Sequence, residues 1–374
     1  MRSLRLAHLT TVDMSLELLL GTELDADVAA GHTVFGVSAP GPYVSRIEAR
    51  GVSHVPLPAL TRSWNLRGDL AAARQLARAL RSLDLDVLHT HTPKAGVLGR
   101  VIGRAMNVPV VVNTCHGLWM RPDDPWRKKA AVLATEAFAA RWSHAELYQN
   151  AVDRHALRHA VPRHRSRTVG NGIDLARFTR DDEARARLRR EVGVGPNDVL
   201  VGGVGRRVAE KGIHDFVYAA RALSGRATFI WVGPADGDKA DALDDDHSGV
   251  TWLGLRDDMP AVYSALDLFV LPSHREGFSR SAMEAAACGC ALVLSDIRGC
   301  REIGTHDEQL LLVPPRHPSA LTAALSRLIA DASLRERLAK SAQHRAHGTF
   351  DQRAIARVSL DTYAAVTRTR GIDL

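Results

Sequence analysis

The sequence predicts an α/β protein made of two doubly wound, parallel-sheet lobes with a substrate cleft between them. Three observations carry this. Short apolar runs alternate with helix-length segments through both halves. The runs are near-continuous Val, Leu and Ile, as buried parallel strands covered on both faces require. The 374 residues, 45% of them hydrophobic, also exceed the size at which one core keeps growing.

In chain order, the first half holds "LRLAHLT", "HTVFGVS", "VSHVPL", "DVLHTHT", "PVVVNT" and "AELYQ". The second holds "VLVGGVG", "TFIWVG", "VTWLGL", "LFVLPS", "ALVLSD" and "QLLLVP". Between the third and fourth runs, "LRGDLAAARQLARALRSL" spaces Leu76, Leu80 and Leu83 as one face of a crossover helix. From residue 170 to 200 Gly-rich and charged stretches interrupt the alternation, which puts the lobe boundary near residue 175. The domains expected are residues 1–175, 176–350, and a last helix from about 351 that crosses back to the first lobe. Each lobe should bind at the carboxyl ends of its strands.

Composition narrows the function classes. No run approaches the roughly 18–20 apolar residues of a membrane span. The opening "MRSLRLAHLTT" has neither the apolar core nor the cleavage site of a signal peptide, so a cytoplasmic location is expected. Cys115, Cys288, Cys290 and Cys300 show no CxxC or metal-finger spacing and read as reduced, packed thiols. The net charge of +7 sits in the first half: residues 1–170 hold 22 Lys and Arg against 14 Asp and Glu, and the remainder 27 against 28. A basic half can meet nucleic acid, an anionic membrane surface or a phosphorylated substrate. No nucleic-acid-binding signature favours the first, so no nucleic-acid partner is expected.

Several constellations carry chemistry. "VGGVGRRVAEKGIHDF" runs from a strand through glycines to Arg206 and Lys211 before a helix. It fails both the Walker and the dinucleotide spacing, yet two such cations can clamp a diphosphate. A solvated basic loop looks the same. In "HREGFSRSAMEAAACG", Ser279 or Arg280 lies near a helix start whose open N–H groups suit a phosphate. Glu284 could then accept from ribose hydroxyls and Glu276 from those of an attached sugar, although an exposed carboxylate plus a helix-dipole partner gives the same spacing. His116 ends a strand and could bond a sugar hydroxyl, or simply be structural. His89 and His91 lie two apart on one strand face but have no clear third ligand. Asp25/Asp27, Asp84/Asp86 and Asp244 to Asp246 have Asp-x-Asp spacing. With the cations already at hand, no essential metal and no cofactor is expected.

"GLWMRPDDPWRKKAAVLATEAFAARW" joins Trp119, Trp126 and Trp142 to Arg127, Lys128 and Lys129, and "LTRSWNLRGD" adds Arg62, Trp64 and Arg67. Such a helix can rest on anionic headgroups or pack as an ordinary crossover.

Taken together, "GRRVAEKG", "WLGLRDDMPAVYSALDLFVLPSHREGFSRSAMEAAACG" and "VGNGID" resemble a family-4 glycosyltransferase of the GT-B type, with two facing Rossmann-like domains. The resemblance implies that Glu276 and Glu284 are the family's glutamate, seven residues, glutamate motif, with Gly277, Phe278, Ser279 and Arg280 in the same donor-binding stretch. It makes Arg206 and Lys211 the diphosphate clamp and Asn171-Gly172 the interdomain hinge. "VLHTHTPKAGVLGRVIGRAMNVPVVVNTCHG" is similar to the acceptor lobe of bacterial members, with His116-Gly117 at the active-site histidine and His91 and Lys94 as acceptor-side candidates. The first loop departs from the family. Many members carry a Gly-Gly turn there, whereas this chain has "TTVDMSLELLL", so Thr11, Asp13 and Ser15 must do that loop's work.

The function implied is retaining transfer of a sugar from a nucleotide-diphosphate donor, UDP and an N-acetylhexosamine being the first choice. The acceptor implied is the hydroxyl of a lipid-linked glycan, with a small natural product second, in bacterial polysaccharide or cell-envelope synthesis at the inner face of the membrane. A two-lobed sugar-nucleotide epimerase and a non-catalytic nucleotide-sugar-binding protein remain as alternatives.

Overall fold

Every apolar run named above contains a parallel strand in the structure, a computed structural model that describes residues 3–120, 124–235, 249–369 and 371. In the first sheet these are β1 (Arg5–Val12), β2 (Thr33–Ala39), β3 (Ser53–Pro56), β4 (Val87–His91), β5 (Val110–Cys115), β6 (Ala145–Tyr148) and β7 (Ser166–Thr168). Their order is β3-β2-β1-β4-β5-β6-β7. The second sheet holds β8 (Leu200–Val204), β9 (Thr228–Val232), β10 (Thr251–Trp252), β11 (Leu268–Leu271), β12 (Ala291–Ser295) and β13 (Leu310–Val313), in the order β10-β9-β8-β11-β12-β13. β7 has no counterpart among the predicted runs, because Ser-Arg-Thr carries no apolar signal and is fixed by pairing with β6.

The strand order reverses once in each sheet, between β1 and β4 and between β8 and β11. A crevice opens at such a reversal, because successive crossovers leave on opposite faces. Those two places position the candidate site residues.

One unit runs to Gly170 and resumes at Gln352; the other is Asn171–Asp351. The crossing falls a few residues before 175 because Ile173, fully buried, packs into the second unit's core and donates its N–H to Phe350 O at 2.9 Å. The helix Gln352–Thr369 packs against the helix Asp13–Ala29 and places Tyr363 in the first unit's core.

Successive β1 residues serve opposite faces, as strand geometry dictates. Leu6 packs with Leu16, Leu20 and Tyr363, while Ala7 and Leu9 pack with Leu76 and Leu80. The helix Leu66–Leu83 is capped by Asn65, whose side chain accepts from the N–H groups of Arg67 and Gly68, and it buries Ala72, Leu76 and Leu80. In the second unit every residue of β11 and β12 is buried, the covered-sheet pattern their sequence announces.

Candidate functional site

In the second unit the reversal brings two loops together. The loop after β8 carries Arg206 and Lys211; the loop after β11 carries Glu276 to Arg280. Lys211 Nζ reaches Glu276 Oε1 at 2.6 Å, with both side chains partly exposed. Lys211 ends a short 3-10 turn, and the next residue, Gly212, has φ +72°, where a Cβ would lie 2.0 Å from Pro272 O. Only glycine lets the β8 loop come this close to the end of β11. Arg206 is half-buried in the same loop.

Ser279 is the N-cap of the helix Arg280–Ala287, its Oγ accepting from Ala282 N at 3.3 Å. The backbone N–H groups at this helix start, beside the Lys211–Glu276 pair in the chain, form an anion-compatible end. Phe278 turns its ring into the core, edge-on to Phe350 with centroids 5.8 Å apart, and so anchors the loop with its side chain. Glu284, half-buried, accepts from Tyr263 Oη–H at 2.8 Å. Burial pushes its carboxyl above the usual range, against the pull of Arg280, the Tyr263 hydrogen bond and Arg177.

One supporting residue escaped the sequence reading. A Cβ on Gly299, in the short helix Arg298–Arg301, would sit 2.6 Å from Glu276 O and 2.8 Å from Gly277 C. The Glu276–Gly277 backbone therefore rests directly on Gly299. A lone glycine in "DIRGCRE" gives no hint of that contact.

In the first unit the reversal joins Thr11 to the start of the helix Pro93–Ala105. Thr11 N donates to Thr92 Oγ1 at 3.2 Å, and the two hydroxyls lie 2.8 Å apart. Asp13 opens the helix Asp13–Ala29; its oxygens accept from Met14 N at 2.8 Å and Tyr43 N at 2.7 Å, fixing the loop after β2. Ser15, in the same first turn, is half-buried. Lys94 is buried, donating to Ser63 O at 2.6 Å and paired with Asp69, so its ammonium ties down the segment before the helix Leu66–Leu83.

His116 is not the isolated histidine that its place in the sequence suggests. Its Nε2 meets His91 Nδ1 at 3.0 Å, His91 Nε2 meets His8 Nδ1 at 3.0 Å, and His8 Nε2 meets Asp27 Oδ2 at 2.7 Å. His8 is also the third nitrogen source that His89 and His91 lacked: one ligand atom from each lies within 4.8 Å of the others. Every ring nitrogen of the three nevertheless faces a protein partner, since His89 Nδ1 meets Tyr363 Oη at 2.6 Å and His89 Nε2 meets Thr114 Oγ1 at 2.7 Å. That pattern favours a hydrogen-bonded cluster over an ion site.

The Asp-x-Asp spacings resolve into separate partners. Asp25 pairs with Arg50 at 2.6 Å, Asp27 bonds His8, Asp86 accepts from Arg5 N at 2.8 Å, and Asp84 ends a helix in the left-handed conformation. Asp244 to Asp246 lie outside the described residues, as do residues 121–123 of the Trp-rich basic stretch. In the rest of that stretch Trp126 is 73% exposed with Arg127 over its ring, and Phe138 and Trp142 are exposed too. Among the described residues no helix is long and apolar enough to cross a membrane.

Residues 20–177 match the family described as Glycosyltransferase Family 4, and residues 198–331 match Glycosyl transferases group 1. The chain is 27% identical over 304 residues to the N,N'-diacetylbacillosaminyl-diphospho-undecaprenol alpha-1,3-N-acetylgalactosaminyltransferase of Campylobacter jejuni, covering 78% of this chain and 80% of that one. It is 30% identical over 359 residues to the D-inositol 3-phosphate glycosyltransferase of Salinispora tropica, covering 86% and 74%. Among solved structures, Anabaena HepE in complex with UDP superposes with a TM-score of 0.81 at 21% identity, over 96% of this chain and 99% of that chain. The last likeness establishes the fold, two parallel-sheet domains of GT-B type.

Proposed function

Since the chain belongs to the family-4, group 1 glycosyltransferases, we propose that it transfers a sugar from a UDP-sugar, with retention, to a lipid-linked glycan in polysaccharide or cell-envelope synthesis. The observation that carries this reading is the Lys211–Glu276 pair at the β8/β11 reversal, next to the capped helix start at Ser279. Breaking the sugar–phosphate bond builds negative charge on the diphosphate. On this reading Lys211, Arg206 and the N–H groups after Ser279, all following the carboxyl ends of the paired strands β8 and β11, stabilise it. Glu276 then orients the sugar and Glu284 the ribose. With cations supplied by the protein, the reaction on this reading needs no essential metal.

UDP is the first choice of donor base because Anabaena HepE binds it within the same fold. An N-acetylhexosamine and a diphospho-undecaprenol-linked acceptor are the first choices for the transferred sugar and its recipient, because the Campylobacter relative is named for that transfer. Thr11, Asp13, Ser15 and His116 belong to the first unit's ligand edge on this reading, while fully buried His91 acts through its hydrogen bond to His116 and Lys94 ties down the segment at Ser63 and Asp69. The exposed Trp126, with Arg127 over its ring, and the exposed Phe138 and Trp142 further along the same stretch suit peripheral contact with an anionic membrane from the cytoplasmic side.

The test is a binding screen over UDP-, GDP- and ADP-sugars, followed by mass measurement of the product formed from the best donor and an undecaprenyl-diphosphate sugar. UDP-N-acetylhexosamine binding and a product heavier by one acetylhexosamine are expected. Tight binding of a GDP- or ADP-sugar alone would replace the donor assignment. Donor conversion without any acceptor would replace the reaction.

A further inference from the structure

The chain from Asp27 to His116 crosses the interior of the first unit. His8 lies on β1, His91 on β4, His116 just after β5, and Asp27 on the helix Asp13–Ala29; Asp27, His8 and His91 are all fully buried. At its outer end, Nδ1 of His116 is buried, has no hydrogen-bond partner among the described residues, and belongs to a ring lining a cavity of about 30 Å³ with Thr92, Cys115, Gly117 and the ion-paired Arg100 and Glu136.

We propose that Asp27, His8 and His91 are positioning residues for His116: through three consecutive buried hydrogen bonds, the carboxyl at one end sets whether Nδ1 of His116 donates or accepts at the other. The argument is a count of hydrogens. Each of the three bonds holds one. With three in the chain they all point toward Asp27: His8 Nε2–H donates to the carboxylate, His91 Nε2–H to His8 Nδ1, and His116 Nε2–H to His91 Nδ1. His116 Nδ1 is then a bare lone pair. A fourth hydrogen reverses or completes the bonds so that His116 Nδ1 carries an N–H, whichever ring formally holds the charge.

The groups facing the chain favour four hydrogens near neutral pH. From the helix Asp13–Ala29 come two carboxyls, Asp27 and Glu23, the latter 3.3 Å from His89 Nδ1. His89 lies beside His91 on β4, and Tyr363 and Ser359 close the cluster from the helix Gln352–Thr369. Burying two carboxylates together is costly unless a facing imidazole takes a proton. Burial opposes charge on all four rings, and it holds His89, His91 and His116 down, His116 to about 4. His8 is the exception: burial opposes its charge too, yet the Asp27 hydrogen bond, the Asp27 charge and Glu23 raise it above 6.5.

On the transferase reading above, on which this use of the relay rests, His116 offers a substrate oxygen an N–H donor at neutral pH. Above the raised His8 value the chain loses one hydrogen and that donor becomes an acceptor.

Ring-nitrogen NMR of the full chain carrying ¹⁵N-histidine, with no substrate present, reads the hydrogen on His116 Nδ1 directly. One loss of that hydrogen is expected, above pH 6.5, in step with His8. Asp27→Asn should move the step down by about one to three pH units, since it removes the charge that holds the proton, and Asp27→Glu should restore it. His8→Phe should leave His116 coupled to His91 alone and bring its step down to the low range that burial sets for those two rings. A wild-type His116 that titrates alone near 4 overturns the proposal without any variant, and so does a step that Asp27→Asn leaves in place. No substrate enters these spectra, so they succeed or fail independently of the transferase reading. In turnover, the alkaline limb of kcat should move down with the NMR step in Asp27→Asn; a limb that stays put while the step moves overturns the catalytic use of the relay.

Discussion

Nζ of Lys211 lies 2.6 Å from Oε1 of Glu276, and the two reach each other from loops that follow adjacent, paired strands, β8 and β11. Two residues far apart in the chain thus share one place at the reversal of the second sheet. Lys211→Ala should lower kcat by on the order of 10²- to 10³-fold, as loss of a charge-stabilising donor does, and change the acceptor KM little. Steady-state kinetics with each substrate varied in turn separates the two effects; equal losses in kcat and acceptor affinity would put Lys211 elsewhere.

Glu284 is expected to act in donor binding. Glu284→Ala should weaken donor affinity in a titration, whereas Tyr263→Phe, which removes one hydrogen bond to that carboxylate, should cost about 1 kcal/mol. An unchanged donor titration in Glu284→Ala discards the role.

The backbone of Glu276 rests on Gly299 with no room for a methyl group. Gly299→Ala should therefore displace the Glu276–Gly277 loop and lower turnover on the order of 10²-fold, as a displacement of about 1 Å can do, while the chain stays folded. Circular dichroism beside kinetics decides: turnover close to wild type means that the loop yields elsewhere at no cost.

Acid stability carries a further signature. Glu17, its side chain 3% exposed, accepts from Arg50 Nε at 2.8 Å, and that hydrogen bond holds its carboxyl below the ordinary 4.5 despite burial. A carboxylate depressed in the folded state stabilises fully above the unfolded value and loses that contribution as pH falls through the folded one. Glu17→Gln should lower Tm at pH 7 and flatten the fall of Tm below about 4.5. A mutant curve parallel to wild type through that range would assign the acid sensitivity to other groups.

The fold was legible because covered parallel strands write themselves as apolar runs; β7, whose Ser-Arg-Thr is polar throughout, wrote nothing. In the second unit, Lys211, Glu276 and Ser279 each lie just past a strand end, but their spacing fitted a solvated basic loop and a helix-dipole partner equally well; the family resemblance, not the spacing, singled them out. The buried relay was not legible. His8 sits in the apolar "LAHLT", and Glu23 and Asp27 lie one helical turn apart; each is an ordinary polar residue until tertiary packing sets His8 against His91, Glu23 against His89 and Asp27 against His8. A polar side chain in the middle of a covered strand, facing acidic residues on the next helix, was the available signal. Leu83 shows the limit of periodicity in the other direction: it continues the helical spacing of Leu76 and Leu80 but is only half-buried, because the helix ends there.

The helix Gln352–Thr369 closes a core whose other members all precede residue 171. During vectorial synthesis the ribosome therefore delivers the whole of Asn171–Asp351 before Tyr363 can reach His89. The second unit can finish folding while the first still waits, and no single proteolytic cut releases the first unit intact.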